Sequence, residues 1–289
     1  MIHGRARSVA TARLLGDGDA SPFVAEGRAP CVVAFHGFTG TVSEIRPVVD
    51  AVAAAGYAVR APLLPGHGTS ALDLQGRSFD AWLDAGREVL DAAVKAHGRV
   101  VLLGFSLGSL VAMHLAAERG AREGSDGGVV GLAVLGNALA LTVFSRLPLG
   151  VAARASRLGF VMPDWYLVKP WSASMTDRRA AARITTYDRH PLRAALEVYL
   201  AGKRARARAA SITCPLLILH GARDVVCRPA NAAWLAANAG TRDVRMRMLA
   251  RSGHVIACDV EKDLVTREVL AFVRRFDAPP PAADVQTSS

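Results

Sequence analysis

Hydrophobic positions along the chain fall into two kinds of segment. Six short runs are almost continuously apolar, which is typical of strands that are covered on both faces. Most of these runs are separated by longer segments whose apolar positions recur with helical spacing. This alternation predicts an α/β fold with a mostly parallel central sheet flanked by helices. The predicted strands are Cys31–Phe35, Tyr57–Ala61, Val100–Phe105, Val129–Leu135, Pro215–His220 and Val244–Leu249, and the predicted helices are Ser43–Ala55, Phe79–His97, Leu107–Arg119, Pro229–Ala239 and Val260–Phe276.

The alternation breaks off between residues 137 and 211. This stretch has no clear strand, and it carries short helical patterns, several prolines and scattered aromatic residues. We therefore predict a mostly helical cap over 137–211, inserted into an α/β core formed by 1–136 and 212–276. The polar, proline-containing tail 277–289 is expected to be disordered. One or two antiparallel edge strands are expected before Cys31, for example Ser8–Leu15.

The bulk properties set limits on the class of protein. A length of 289 residues with 51% hydrophobic residues allows one large α/β domain or two smaller ones. No stretch approaches the roughly 20 uninterrupted apolar residues of a membrane span, so stable membrane insertion is not expected. The N-terminal residues lack the apolar segment of a secretory signal. A cytoplasmic protein, as a monomer or weak homodimer, is the expectation.

Most of the formal net charge of +10 lies in one segment. Residues 146–208 contain thirteen Arg or Lys against four Asp or Glu. One interpretation is attraction of anionic substrates or a membrane surface. The interpretation we favour is a chain-wide preference for arginine and alanine. No nucleic-acid-binding motif accompanies the charge, so a nucleic-acid partner is not expected.

The four cysteines do not predict metal or redox chemistry. None of them forms a Cys-x-x-Cys pair, and His254 and Cys258 have no further ligands near them in the sequence. Cys31 and Cys214 begin apolar runs and are expected to be small buried side chains. We therefore expect neither a cofactor nor a metal.

One pentapeptide, Gly104-Phe105-Ser106-Leu107-Gly108, joins a predicted strand directly to a predicted helix. Its two glycines leave room for a strained turn that presents the serine hydroxyl above the sheet. The pentapeptide alone is a weak signal, because a glycine-rich loop with a non-catalytic serine can have the same sequence. Its place between a strand and a helix makes Ser106 a candidate nucleophile.

A serine nucleophile needs a base, and the base needs an acid to orient it. In a parallel sheet both should lie just beyond the C-terminal ends of strands. His254 follows the last predicted strand and is the preferred base, with His67 as a weaker contender. Asp224 follows the preceding strand and is the preferred acid. Asp259 is a rival acid, although its place at the start of the last helix favours a capping role.

The reaction also needs donors for the negative oxygen that forms on an attacked carbonyl. One should be the backbone N–H of Leu107, which follows the nucleophile. The second should come from the loop after an early strand, here His36-Gly37-Phe38-Thr39-Gly40, with the Phe38 N–H as the candidate. An ordinary glycine-rich connection is the alternative interpretation of this loop.

Over residues 30 to 276 the chain resembles the α/β-hydrolase superfamily, and within it the bacterial carboxylesterases and monoacylglycerol lipases. This resemblance implies a cap after the sixth strand, a catalytic triad of Ser106, Asp224 and His254, and oxyanion donors at Phe38 and Leu107. It rests on the residues His36–Thr41, Leu64–Gly68, Gly104–Gly108, His220–Asp224 and Ser252–Ile256.

The expected activity is hydrolysis of short-to-medium acyl esters or monoacylglycerols through an acyl-enzyme. Cap side chains would bind the acyl group, with Phe144, Leu147, Trp165 and Trp171 as candidates, although packing of the cap onto the sheet is the simpler role for most. Thioesterase, peptidase, C–C bond hydrolase and acyltransferase activities remain alternatives within the same fold. A non-catalytic ligand-binding protein is an alternative of a different class.

Overall fold

A computed structural model describes residues 14–120, 128–142, 149–155, 165–168 and 174–277. Seven strands form the central sheet, in the order β11-β10-β6-β5-β3-β4-β2. All neighbours in this sheet are parallel except β2, which pairs antiparallel with β4. The strands of this sheet are β2 (Phe23–Ala25), β3 (Arg28–Phe35), β4 (Tyr57–Ala61), β5 (Val100–Phe105), β6 (Val129–Leu135), β10 (Leu216–Gly221) and β11 (Val244–Leu249).

The predicted α/β architecture with a mostly parallel sheet is confirmed. Four of the predicted strands have the observed bounds, while β3 begins at Arg28 and β10 is shifted by one residue. Strands that are buried on both faces carry a continuous apolar run, and this run allows their bounds to be predicted from the sequence. The shorter elements at the periphery of the sheet have no comparable signal.

Helices cover both faces of the sheet, and alternate residues of each strand therefore enter different hydrophobic clusters. Cys31, Val33 and Phe35 of β3 face one cluster, whereas Val32 and Ala34 face the other. The helices are α1 (Arg46–Ala54), α2 (Ala71–Gln75), α3 (Phe79–His97), α4 (Leu107–Gly120), residues 149–155, Arg178–Ala182, Leu192–Arg208, Ala230–Asn238 and Lys262–Arg274, with short 3-10 helices at Val42–Glu44 and Ala209–Ser211. In the described part of the chain, no helix has the length and apolarity needed to span a membrane.

An antiparallel edge strand precedes Cys31, as predicted, but it lies later in the sequence than the example Ser8–Leu15. Phe23–Ala25 forms β2, whereas Leu14–Leu15 (β1) pairs with Thr186–Tyr187 (β8) in a separate two-stranded sheet. Residues 8–13 lie outside the described residues. Strands of two or three residues carry too little periodicity to be placed from sequence.

The insertion predicted over 137–211 contains strands as well as helices, so the expectation that it has no strand is wrong. Besides β8, Tyr166–Val168 (β7) pairs antiparallel with Arg189–Pro191 (β9). The long helix Leu192–Arg208 buries Val198, Ala201 and Ala205 in the cluster that also holds α4. The division into core and cap remains a prediction.

Some of the excess positive charge of the insertion meets acidic side chains of the surrounding elements. Arg204 lies 3.0 Å from Asp80, and Arg208 lies 3.6 Å from Glu118. Both arginines are about half exposed, so each pair contributes little to stability.

The C-terminal tail predicted over 277–289 is described only at its first residue. Asp277 accepts a hydrogen bond of 2.7 Å from the Tyr57 hydroxyl, and the tail beyond it lies outside the described residues.

Candidate active site

The turn between β5 and α4 is strained and tightly packed. Ser106 lies at its apex with φ of 53°, in the left-handed region that non-glycine residues rarely adopt. A Cβ on Gly104 would lie 2.2 Å from the carbonyl oxygen of Gly108, and a Cβ on Gly108 would lie 2.1 Å from that of Phe35. Both glycines are therefore required by close backbone approach. The Ser106 side chain projects from this turn and the residue remains 8% exposed.

Three predicted side chains form one hydrogen-bonded chain. The Oγ of Ser106 lies 2.9 Å from Nε2 of His254, and Nδ1 of His254 lies 2.7 Å from Oδ2 of Asp224. The other carboxylate oxygen, Oδ1, accepts the backbone N–H groups of Val226 and Cys227, both at 2.8 Å. The carboxylate is thus fixed from one side and orients the imidazole from the other.

Asp224 is buried but remains an anion. Burial opposes its ionisation, yet the charge of His254 and the neighbouring imidazole groups hold the pKa of Asp224 below its usual range. The second imidazole is that of His220, whose Nε2 lies 3.0 Å from Oδ2 without the alignment of a hydrogen bond. An ionised carboxylate at this place would stabilise a protonated His254.

The loop that carries His254 is held by Asp259. The carboxylate of Asp259 accepts the backbone N–H groups of Gly253, Thr176 and Asp177 at 2.6 to 3.1 Å. Asp259 therefore anchors the loop rather than orienting the imidazole. The prediction that it caps the last helix is wrong, because that helix begins at Lys262 and its N-cap is Glu261.

The backbone groups proposed for the oxyanion lie on two connected turns. The N–H of Gly108 donates to the carbonyl of His36 at 3.0 Å, which brings the turn of Ser106 against the loop after β3. Among the described residues, the N–H groups of Phe38 and Leu107 donate to no protein acceptor. Stabilisation of an oxyanion requires donors that are not already used, and these two N–H groups meet that requirement.

The loop after β3 contains a second strained residue. Thr39 has φ of 61°, which is unusual for a β-branched side chain. Its carbonyl accepts the N–H of Tyr187 at 2.9 Å and the hydroxyl of Thr186 at 2.8 Å. The ring of Phe38 stacks on His190 with centroids 5.4 Å apart. Strands β8 and β9 therefore hold this loop in its strained conformation.

The buried carboxylate of Glu44 also supports the loop after β3. The Oε2 of Glu44, at the end of the short 3-10 helix, accepts the N–H of Gly37 at 2.8 Å. A Cβ on Gly40 would lie 2.0 Å from that oxygen, so only glycine fits against the carboxylate. Glu44 thereby fixes both ends of the turn that presents Phe38.

The two histidines near this loop are structural. Nε2 of His36 accepts the N–H of Leu64 at 3.1 Å, and burial lowers the pKa of His36 to about 4. His67, the weaker contender for the base, packs against His36 and Trp82, and its Nδ1 lies 3.2 Å from the Leu64 carbonyl. Burial lowers the pKa of His67 well below its ordinary value. Both rings therefore stay neutral near pH 7.

Three of the four predicted acyl-binding side chains, Phe144, Leu147 and Trp171, lie outside the described residues. Trp165 is described, and it is 63% exposed while its carbonyl accepts the N–H of Leu192. Its side chain is thus largely free of packing contacts. The acyl-binding role of all four residues stays a prediction.

Sequence reasoning missed the residues that support the loop after β3. The hydroxyl of Tyr187 donates to the carbonyl of Gly66 and accepts the N–H of Thr69, which ties β8 to the loop after β4. Glu44 resembles any acidic residue in a first helical turn. Neither side chain gave a sequence signal, because the contacts of each depend on long-range packing.

A mostly parallel sheet with helices on both faces and a serine on the turn after β5 defines this protein as an α/β-hydrolase. The fold and the predicted resemblance are supported by comparison with known proteins. The model of the family described as serine aminopeptidase, S33, matches residues 27–261, and the chain belongs to this family.

Relatives of both predicted kinds match over most of their length. The chain is 24% identical to a thermostable monoacylglycerol lipase of Bacillus sp. (strain H-257), covering 88% of this chain and 94% of the relative. It is 22% identical to a carboxylesterase of Bacillus subtilis (strain 168), covering 89% and 97%. A solved structure from work on LipS and LipT, two metagenome-derived lipolytic enzymes, aligns with a TM-score of 0.79 at 23% identity, covering 90% of this chain and 99% of that one.

Proposed function

We propose that this protein hydrolyses carboxylic esters with Ser106 as the nucleophile, and that its substrates are short-to-medium acyl esters or monoacylglycerols. The observation that carries the proposal is the hydrogen-bonded chain from Ser106 through His254 to Asp224, with distances of 2.9 and 2.7 Å. Each of these side chains has the role that nucleophilic acyl transfer requires.

In the proposed reaction, Oγ of Ser106 attacks the ester carbonyl while Nε2 of His254 takes the hydroxyl proton. Asp224 holds the ring and stabilises the imidazolium. The N–H groups of Phe38 and Leu107 bind the oxyanion, and each is worth roughly 3 kcal/mol of barrier. His254 then gives the proton to the leaving alcohol, and a water molecule repeats the sequence to release the acid.

The ester class is favoured over the amide class by the relatives. Two relatives are named a monoacylglycerol lipase and a carboxylesterase, although the family takes its description from an aminopeptidase. Both reactions use the same nucleophile, base and oxyanion donors, so the site geometry does not separate them. Peptidase activity is therefore the second candidate, and it rests on the family description.

The test is an activity profile over three matched panels. p-Nitrophenyl esters of increasing acyl length, the corresponding thioesters and aminoacyl p-nitroanilides should be compared, with monoacylglycerols as natural-type substrates. We expect the highest kcat/KM on esters, falling at long chains. A profile dominated by the anilides would replace the esterase proposal with the peptidase.

Ser106→Ala is the control for the chemistry, and a fluorophosphonate probe is the control for the nucleophile. The wild type should form a Ser106 adduct, and the Ala variant should form none while keeping its fold. Folded wild-type protein that neither reacts with the probe nor turns over any substrate would favour a ligand-binding protein instead.

A further inference from the structure

Cys227 lies beside the proposed triad although it has no part in the proposed reaction. It follows Asp224 by three residues, and its N–H donates to the carboxylate of that residue. The Sγ of Cys227, a carboxylate oxygen of Asp224 and a ring nitrogen of His254 all lie within 4.8 Å of one another. In the described part of the chain, no other group of histidine, cysteine and acidic side chains converges in this way.

We propose that Cys227, His254 and Asp224 form an inhibitory site for a thiophilic divalent metal ion such as Zn²⁺ or Cd²⁺. Thiolate, imidazole and carboxylate are the ligands that bind Zn²⁺ in proteins. The sulfur ligand selects the softer metals over Mg²⁺ and Ca²⁺. The consequence that the ion inhibits the enzyme rests on the proposed function, whereas the binding itself does not.

The geometry needs only small side-chain movements. Ligand bonds of about 2.0–2.3 Å place the donor atoms of a tetrahedral zinc ion roughly 3.5 Å apart. His254 and Asp224 are now 2.7 Å apart and must separate slightly, whereas Sγ must approach them. Rotation about the Cα–Cβ bond of Cys227 moves its sulfur without moving the backbone. The two N–H groups on Oδ1 keep the carboxylate in place.

The charges of the filled site cancel. The thiol loses its proton to solvent on binding, and the ring proton of His254 moves from Nδ1 to Nε2 as the metal takes Nδ1. One thiolate and one carboxylate then neutralise the two positive charges of the ion, which a buried site requires. His254 would present an N–H to Ser106 and would no longer accept the hydroxyl proton.

Prior binding of the metal ion to His254 and Asp224 is what allows the buried thiol of Cys227 to become the third ligand. Cys227 is fully buried, and a thiol must lose its proton before its sulfur can bind a metal ion. A metal ion that already holds the other two ligands supplies the free energy for removing that proton. Asp224 and His254 are 5% and 6% exposed, whereas Cys227 is fully buried, so an entering ion meets the carboxylate and the imidazole before the thiol.

The test combines binding and inhibition on the full chain. Cd²⁺ is titrated into wild-type, Ser106→Ala, Cys227→Ala and Cys31→Ala proteins while the ultraviolet absorption of the cadmium–thiolate bond is recorded. Ester hydrolysis is then measured against Zn²⁺, followed by excess EDTA. Cys31 is the matched control, since it is equally buried and pairs with Val100 at the N-terminal end of β5, whereas the triad residues follow the C-terminal ends of their strands.

We expect the absorption in all proteins except Cys227→Ala, and inhibition of the wild type that EDTA reverses. Cys227→Ala should need at least about tenfold more Zn²⁺ for the same inhibition, since even the loss of a group that supports a metal ligand costs about 10–100-fold in affinity. Equal absorption and equal sensitivity in Cys227→Ala and wild type would overturn the proposal. Cys227→Ser replaces the Ala variant if that variant does not fold.

The two proposals fail in different ways. If the absorption depends on Cys227 but the protein hydrolyses no ester, the metal site stands and the proposed function falls. If esters are hydrolysed without any Cys227-dependent absorption or inhibition, the metal site falls and the proposed function stands.

Discussion

Replacing Ser106 by glycine should separate the chemistry of this residue from its backbone strain. Its φ of 53° is a left-handed conformation, which costs a residue with a Cβ roughly 1–2 kcal/mol. Glycine avoids that cost, but it also increases the freedom of the unfolded chain, which costs roughly 0.4–1 kcal/mol. We therefore expect Ser106→Gly to be more stable than Ser106→Ala by roughly 0.5–1 kcal/mol.

Alanine is the right reference because both variants lose Oγ and its hydrogen bond to His254. The free energies of unfolding should be compared by urea titration, and the midpoint temperatures should differ by about 1–4 °C. Both variants should lose ester turnover by a factor of about 10⁶ if Ser106 is the nucleophile. The pair thus gives an inactive protein that is more stable than its equally inactive partner.

Ser109 gives the opposite sign and serves as the control. It lies inside α4, where glycine should be less stable than alanine by about 1 kcal/mol. Ser106→Gly with a free energy of unfolding equal to or below that of Ser106→Ala would refute the strain argument. Substantial turnover in either Ser106 variant would refute its role as nucleophile.

Three further predictions concern groups around the site. Gly40→Ala should lower the free energy of unfolding by about 1–3 kcal/mol and reduce kcat, because its Cβ would lie 2.0 Å from the Glu44 carboxylate. The control is Gly76→Ala, where the nearest atom to the added Cβ is 3.8 Å away. This control should change the free energy of unfolding by less than about 0.5 kcal/mol. Asp224→Asn should lower kcat about 10⁴-fold in steady-state kinetics with the fold intact, and a near-normal kcat would remove it from the triad. Burial lowers the pKa of His36 from 6.5 to about 4, so its contribution to the free energy of unfolding is complete above pH 6.5. This contribution should decline by roughly 3 kcal/mol as the pH falls to about 4. In His36→Asn the free energy of unfolding should fall less steeply with pH, and an unchanged slope would contradict this assignment.

The sequence signals that predicted the fold and the candidate triad are local ones. An apolar run marks a strand buried on both faces, and Ser106, Asp224 and His254 each follow such a run within a few residues. Because parallel strands end at the same edge of a sheet, side chains placed just beyond them converge even when 148 residues separate the serine from the histidine. The position of each residue just after a predicted strand was therefore sufficient to predict that the three side chains converge.

The residues that the sequence did not reveal act through contacts between distant segments. Asp259 is five residues from His254, and its place at the start of the last predicted helix favoured a helix cap over a rival acid. It instead binds backbone N–H groups of Thr176 and Asp177, which no local pattern specifies. The same holds for Cys227, whose sequence neighbours form no metal motif and which comes near the Asp224 and His254 side chains only in the folded chain.

The two strained residues connect the insertion to the candidate active site. A strained backbone persists only where surrounding contacts fix it, and Ser106 and Thr39 are fixed by different parts of the molecule. Glycine packing within the sheet holds the turn of Ser106, whereas Thr186 and Tyr187 of the insertion hold Thr39. Since Thr39 adjoins Phe38, these contacts of the insertion also fix the position of the Phe38 N–H, which is the oxyanion donor of the proposed reaction. Under the proposed mechanism we therefore expect loss of these contacts to lower kcat.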